Sequence, residues 1–172
     1  MNIDFRHIEG RFVRIEPLRP EHKEELRAAV DCDEASWSIM VVNPMGARFE
    51  EYWSASIGVP RTERMPYAIR RLSDGRVVGT SAYVMASAKH GGVEIGGTFL
   101  NPDVRAGAVN PESKILMLGH AFESGAVRVQ FKIDSRNTRS QAARRCQRRG
   151  ATARHPNLDR AYPRHRRVLD PR

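Results

Sequence analysis

Residues 93–100 read Val-Glu-Ile-Gly-Gly-Thr-Phe-Leu and run into the turn Asn101-Pro102-Asp103. The next stretch is Val104-Arg105-Ala106-Gly107-Ala108-Val109-Asn110-Pro111, a run of small residues. The first segment has the composition of a strand, and the small-residue run reads as a loop that opens a helix. Pro111 suits a first helical position, and Ile115, Leu116, Leu118 and Phe122 supply one apolar face behind it. Val127, Val129, Phe131 and Ile133 then alternate, as in a strand with one buried face. Asn137-x-x-Ser140 follows, a pattern that caps a helix start. A loop entering a helix this way can bring several unpaired backbone N–H groups to one point. The helix dipole favours an anion there, and a pyrophosphate can be held without a metal.

Upstream, the chain reads as more of the same layered domain. Arg11 to Glu16 alternates and is expected to be the first strand. Pro20 with Glu21, Glu24 and Glu25 starts a helix that runs to about Val30. Phe49, Tyr52, Trp53 and Ile57 line one face of a second helix. Tyr67–Arg71 and Val77–Met85 flank Ser73-Asp74-Gly75-Arg76, a hairpin through Asp-Gly.

These motifs resemble the GNAT acyltransferase superfamily, and within it the branch similar to ribosomal-protein N-acetyltransferases. The likeness rests on Glu94 to Pro102, the loop Arg105 to Asn110, the helix Glu112 to Glu123, and Asn137, Ser140 and Ala143. It extends upstream through Gly10-Arg11-Phe12-Val13 and Trp37 to Trp53, and covers about residues 5–143. The resemblance implies an α+β fold, a mixed and mostly antiparallel sheet flanked by helices. It implies acetyl transfer from acetyl-CoA, used as co-substrate without a metal, to a primary amine such as a protein N-terminus or a small molecule. Backbone N–H groups of Arg105, Ala106, Gly107, Ala108, Val109 and Asn110 would hold the pyrophosphate. The Phe99–Leu100 backbone would pair with the pantetheine arm, and Asn137 and Ser140 would face the cofactor. The fourth loop position, usually Gly, is Ala108, whose methyl group would crowd the phosphate if the backbone there needs a positive φ.

Each candidate also has a plainer role. The loop alone could be an ordinary strand-to-helix turn, and Asn137 and Ser140 could simply cap a helix. Glu94 could be a surface carboxylate, or could accept a proton from the attacking amine, directly or through water. His120 reads as a partly buried structural histidine, and Trp37, Tyr52 and Trp53 as core. There is no nucleophile elbow, Walker loop or dinucleotide fingerprint. Cys32 and Cys146 have no metal spacing.

Charge divides the chain. Residues 1–140 hold 19 basic and 18 acidic side chains, whereas residues 141–172 hold ten Arg, no Lys and two Asp. Leu158, Val168 and Leu169 are the only large aliphatics of that tail. Ordering it costs about 1–2 kcal/mol of backbone entropy per residue, with little apolar surface to offset that. The domain is therefore expected to span 1–143, with 144–172 a poorly ordered Arg-rich tail. The sequence favours a shift of reading frame near Ala143, because Arg144-Arg145-Cys146-Gln147-Arg148-Arg149 lacks the apolar stripe of the helix the resemblance implies. The last two strands would then be missing and the chain a poor catalyst. The alternative is a natural basic arm, with non-specific nucleic-acid binding as its function. No apolar run suggests a secretion signal or a bilayer span, so a cytoplasmic protein is expected. Oligomeric state and the acceptor amine are open at this point.

Overall fold

The computed structural model describes residues 1–40, 42–87 and 89–141. The expectations for residues 144–172, Cys146 and Ala143 included, lie outside the described residues.

The order of elements is β1 (Ile8–Glu9), β2 (Val13–Pro17), α1 (Lys23–Val30), α2 (Glu34–Trp37), α3 (Phe49–Gly58), β3 (Arg64–Arg71), β4 (Val77–Ser87), β5 (Gly92–Leu100), α4 (Val109–Glu123) and β6 (Arg128–Gln130). Short 3₁₀ turns at Pro20–His22, Gly46–Arg48 and Pro102–Val104 lead into α1, α3 and the loop before α4. The six strands form one sheet in chain order. β1 to β5 are antiparallel neighbours, and β6 joins β5 in parallel. This is the mixed, mostly antiparallel sheet flanked by helices that the motifs imply.

Side-chain alternation gives the sheet two packed faces. On one, Val13, Ile15, Tyr67, Ile69, Tyr83, Val93 and Ile95 meet Val109, Met117 and Ala121 of α4. On the other, Ala68, Val77 and Phe99 meet Leu26 and Val30 of α1, Trp37 of α2, and Phe49 and Trp53 of α3. Phe99 stacks on Trp37 at 4.1 Å between ring centroids. Arg70 ties α1 to the sheet, pairing with Glu16 at 3.1 Å and Glu25 at 2.7 Å.

Several boundaries differ from the sequence reading. The alternating run 127–133 yields only three strand residues, and Val127 is 48% exposed while Val129 is buried. Alternation marks which residues could face a core, but pairing needs a partner at strand distance, and β5 turns away. α4 begins two residues before Pro111, with Ala108 at its start. β1 and the one-turn α2 leave no mark in the sequence pattern, since two and four residues are too short for a periodic signal. The Asp74–Gly75 hairpin and the buried His120 match the reading, but Ile57 of the expected α3 face is 44% exposed. α4 buries Val109, Ser113, Met117, His120 and Ala121, while Ile115, Leu116, Leu118 and Phe122 are only partly buried, because the helix turns its smaller residues to the sheet.

Candidate active site

The geometry turns on how briefly β5 and β6 run together. They pair at Gly92–Arg128, Val93–Val129 and Glu94–Gln130 and nowhere beyond. β5 itself continues to Leu100 against β4. Residues 95–100 therefore have a strand partner on the β4 side and, among the described residues, none on the other. A bulge helps: Thr80 pairs with Phe99 and Ala82 with Gly96, so β5 holds one residue more than β4 between these pairs. Gly97 sits in that bulge with φ of 58°. The extra residue bends the strand and strengthens its twist, which carries β5 away from β6.

The loop after β5 presents the expected N–H groups. Among the described residues, no backbone carbonyl accepts from the N–H groups of residues 106–110. They stand at the start of α4, a 15-residue helix. The left-handed residue is Ala106, with φ of 61°. Ala108 is right-handed, with φ of −73°. The expectation that Ala108 is the crowded position is thus corrected. The chain turns one step earlier, and the Ala108 methyl group sits on ordinary helical backbone. A cleft of about 440 Å³ adjoins the loop, with Arg11, Arg71, Gly107, Ala108 and Val109 in its walls.

Other candidates are already engaged through their side chains. The Arg105 guanidinium pairs with Asp33 and donates to the Leu100 carbonyl at 3.0 Å, and its backbone N–H donates to the Pro102 carbonyl at 3.2 Å. The expectation that this N–H holds the pyrophosphate is thus corrected: the 3₁₀ turn takes it. The Phe99 ring is buried against Trp37. Asn137 Oδ1 accepts from the Ser140 N–H at 3.0 Å, which is the capping role. Glu94 is 8% exposed, on the face away from α4. Its carboxylate takes the exposed Lys132 ammonium at 2.8 Å and the Gln130 amide at 3.4 Å. His120 is held by the Tyr83 hydroxyl at 3.3 Å from Nδ1.

Two groups escaped the sequence reading. Glu112, in the first turn of α4, accepts the N–H groups of Arg11, Phe12 and Val13 at 2.8, 2.6 and 2.9 Å. It clamps the start of β2 to the loop end of the helix. Lys114, on the sheet-facing side of the same helix, is 6% exposed. Its Nζ reaches Ser81 Oγ at 3.2 Å and Thr98 Oγ1 at 2.5 Å, and lies 5.8 Å from the Phe131 ring. It thus spans from β5 to the segment beyond β6, under the divergence. Burial pulls its ammonium down to about 7. A long polar side chain at a helical position looks solvent-facing until the sheet is placed.

Among the described residues no group of His, Cys, Asp and Glu is placed to hold a metal, and no helix is long and apolar enough to cross a membrane.

A family model described as an acetyltransferase (GNAT) domain matches residues 13–146. Solved structures agree. A GNAT-family protein of Chromobacterium violaceum superposes with a TM-score of 0.74 at 26% identity, over 83% of this chain and 73% of that one. A protein of T. thermophilus classed as an acetyltransferase gives 0.72 at 32% identity, over 85% and 76%. Mycobacterium smegmatis RimJ, solved with CoA-disulfide, shares the fold at 0.64 and 18% identity, over 80% and 69%. Among proteins with curated descriptions, none matches.

Proposed function

The chain belongs to the GNAT acetyltransferase family, and we propose that it transfers the acetyl group of acetyl-CoA to a primary amine at the divergence of β5 and β6. The observation that carries this reading is the pairing of the two strands over three residues only, beside a helix start whose N–H groups of residues 106–110 are taken by no backbone carbonyl among the described residues. An anionic pyrophosphate fits that cluster by both hydrogen bonding and dipole. Acetyl-CoA brings an acyl group already activated as a thioester.

The remaining work falls to this chain. The N–H groups of residues 106–110 hold the diphosphate. Arg11 stands beside them in the cleft wall and adds positive charge, whereas Arg71 there is held by Asp74 and Asp103. The free edge of residues 95–99 pairs with the pantetheine amides as an added strand would. A backbone N–H on that edge polarises the thioester carbonyl, where negative charge develops during attack. Glu94 accepts the amine proton, directly or through water, after its exposed partner Lys132 swings away. Lys132 is exposed but the Glu94 carboxylate is buried, so once they part Glu94 is held by the Gln130 amide alone until the amine arrives. Asn137 and Ser140 shape the far side of the cofactor site.

Calorimetry with CoA tests the reading. The wild type is expected to bind, and Gly107→Asp to bind at least tenfold more weakly. That variant sets a carboxylate among the N–H groups. Its Cβ meets nothing nearer than the Val104 carbonyl at 3.5 Å, so the loop can keep its shape. No heat with millimolar CoA, or equal affinity for both proteins, would sink the proposal.

A further inference from the structure

On the face of the sheet opposite α4, three strands set opposite charges in one row. Arg64 of β3 pairs with Val84 of β4, Val84 with Glu94 of β5, and Glu94 with Gln130 of β6. Arg64 and Glu94 are therefore two strand spacings apart, about 10 Å between backbones. Both heads lean over the same floor. An Arg64 Nη2 lies 2.7 Å from where a Cβ of Gly97 would stand, and a Glu94 Oε1 lies 2.8 Å from where a Cβ of Gly96 would stand. Two adjacent glycines thus leave room for the two charged heads to lie over β5. Gly97 is exposed, whereas Ile95, Phe99 and Leu100 on the same strand are buried. This is the open approach to the free edge of β5.

Arg64 has no structural partner that would explain it. Among the described residues it forms no ion pair, and its Nε is buried without a hydrogen-bond partner. Its charge reaches Tyr52 of α3, whose phenol burial pushes up and the Arg64 charge pulls down. The chain elsewhere pairs its half-buried arginines, as at Arg70, Arg71 and Arg105. A half-buried guanidinium whose Nη2 stands beside the exposed Gly97 fits a planar anion by its fork geometry. Glu94 at the other end of the opening suits an amine.

We propose that Arg64 selects the acceptor, and that the acceptor carries a carboxylate a few bonds from the amine that is acetylated. This rests on the acetyltransferase reading and adds the acceptor's chemical class to it. The two heads do not pair with each other, and a small molecule with an amine and a carboxylate can hydrogen-bond to one at each end, over about 2.9 Å per contact. Its amine then meets Glu94 next to the free edge, and its carboxylate meets Arg64. The same chemistry can come from a free amino acid or from an acidic residue at a peptide N-terminus.

Two matched acceptor pairs distinguish these sources. One is a free α-amino acid and its amide, and the other is a peptide beginning with Asp and its Asn counterpart. The wild type is expected to prefer the carboxylate member of at least one pair by tenfold or more in kcat/KM. Arg64→Met should erase that preference, mainly through KM, and leave the amide and the CoA affinity unchanged. Arg64→Lys should restore part of it. Melting curves confirm that each variant is folded. Equal rates within both pairs, or a preference that survives Arg64→Met, overturn the assignment. So does a wild type that binds acetyl-CoA and acetylates no member of either pair, with the family reading left standing. A wild type that does not bind acetyl-CoA removes both.

Discussion

Replacing Lys114 by Met should stabilise this protein at neutral pH, and the size of the gain can be worked from the structure. Lys114 is buried, and its Nζ is met by two hydroxyl groups and, among the described residues, by no carboxylate. Burial holds the ammonium at about 7, against an ordinary value of 10.5. Between these two values the unfolded chain binds a proton that the folded chain does not, so stability rises with pH across that window. The slope is at most about 1.4 kcal/mol per pH unit, and the whole window amounts to roughly 4–5 kcal/mol. Below pH 7 both states are protonated and the full cost is present. Methionine has nearly the same length and removes the charge. The hydroxyls it abandons, Ser81 Oγ and Thr98 Oγ1, already lie 2.8 Å apart and can satisfy each other. Losing the lysine's own bonds costs about 1 kcal/mol. The net gain at pH 7 should be about 3–4 kcal/mol. Urea unfolding at pH 7, 8 and 9 reads both the offset and the slope. The wild type should gain stability with pH relative to the variant, and the two should converge by about pH 9–10. Parallel lines, or a variant less stable than wild type at pH 7, would refute the argument that this lysine is held neutral at a cost.

Three further outcomes follow from particular contacts. Glu112→Ala should cost about 1–3 kcal/mol in urea unfolding, because three N–H groups lose a charged acceptor although water can reach two of them; Gly10→Ala should be comparably damaging, since its Cβ would stand 2.6 Å from the Glu112 carboxyl carbon. Ala106→Gly should leave stability unchanged or raise it by up to about 1 kcal/mol, by relieving a positive φ, while Ala108→Gly should bring no such relief; the reverse order in thermal melts would contradict the loop geometry. Glu94→Gln should lower kcat by about 10²-fold or more with CoA affinity unchanged, as expected when a general base is lost; steady-state rates equal to wild type would remove Glu94 from the chemistry.

What the sequence determined by itself is the local grammar of the fold. The Asp74–Gly75 hairpin, the existence of α3 and α4 and the small-residue loop between β5 and α4 are short-range signals, whereas the side of α4 that is buried is not the one its large aliphatics suggest. Turn chemistry and periodicity are set by neighbours a few residues away, so they survive without coordinates. Only the tertiary structure decided what those pieces do together. The three-residue pairing of β5 with β6 depends on a bulge at Gly97 whose effect is strand direction, which no alternation pattern encodes. The Arg105 N–H reads as a phosphate ligand in the sequence, yet it donates to the Pro102 carbonyl, and the side chain is taken by Asp33, 72 residues earlier. Glu112 is spent on N–H groups about a hundred residues away. Lys114 and Arg64 look like surface charges until the sheet buries one and leaves the other beside an opening. The reason is the same in each case. A charged side chain's role is set by which partners come within about 3 Å and by how much water is excluded, and both are properties of chain packing rather than of sequence neighbourhood.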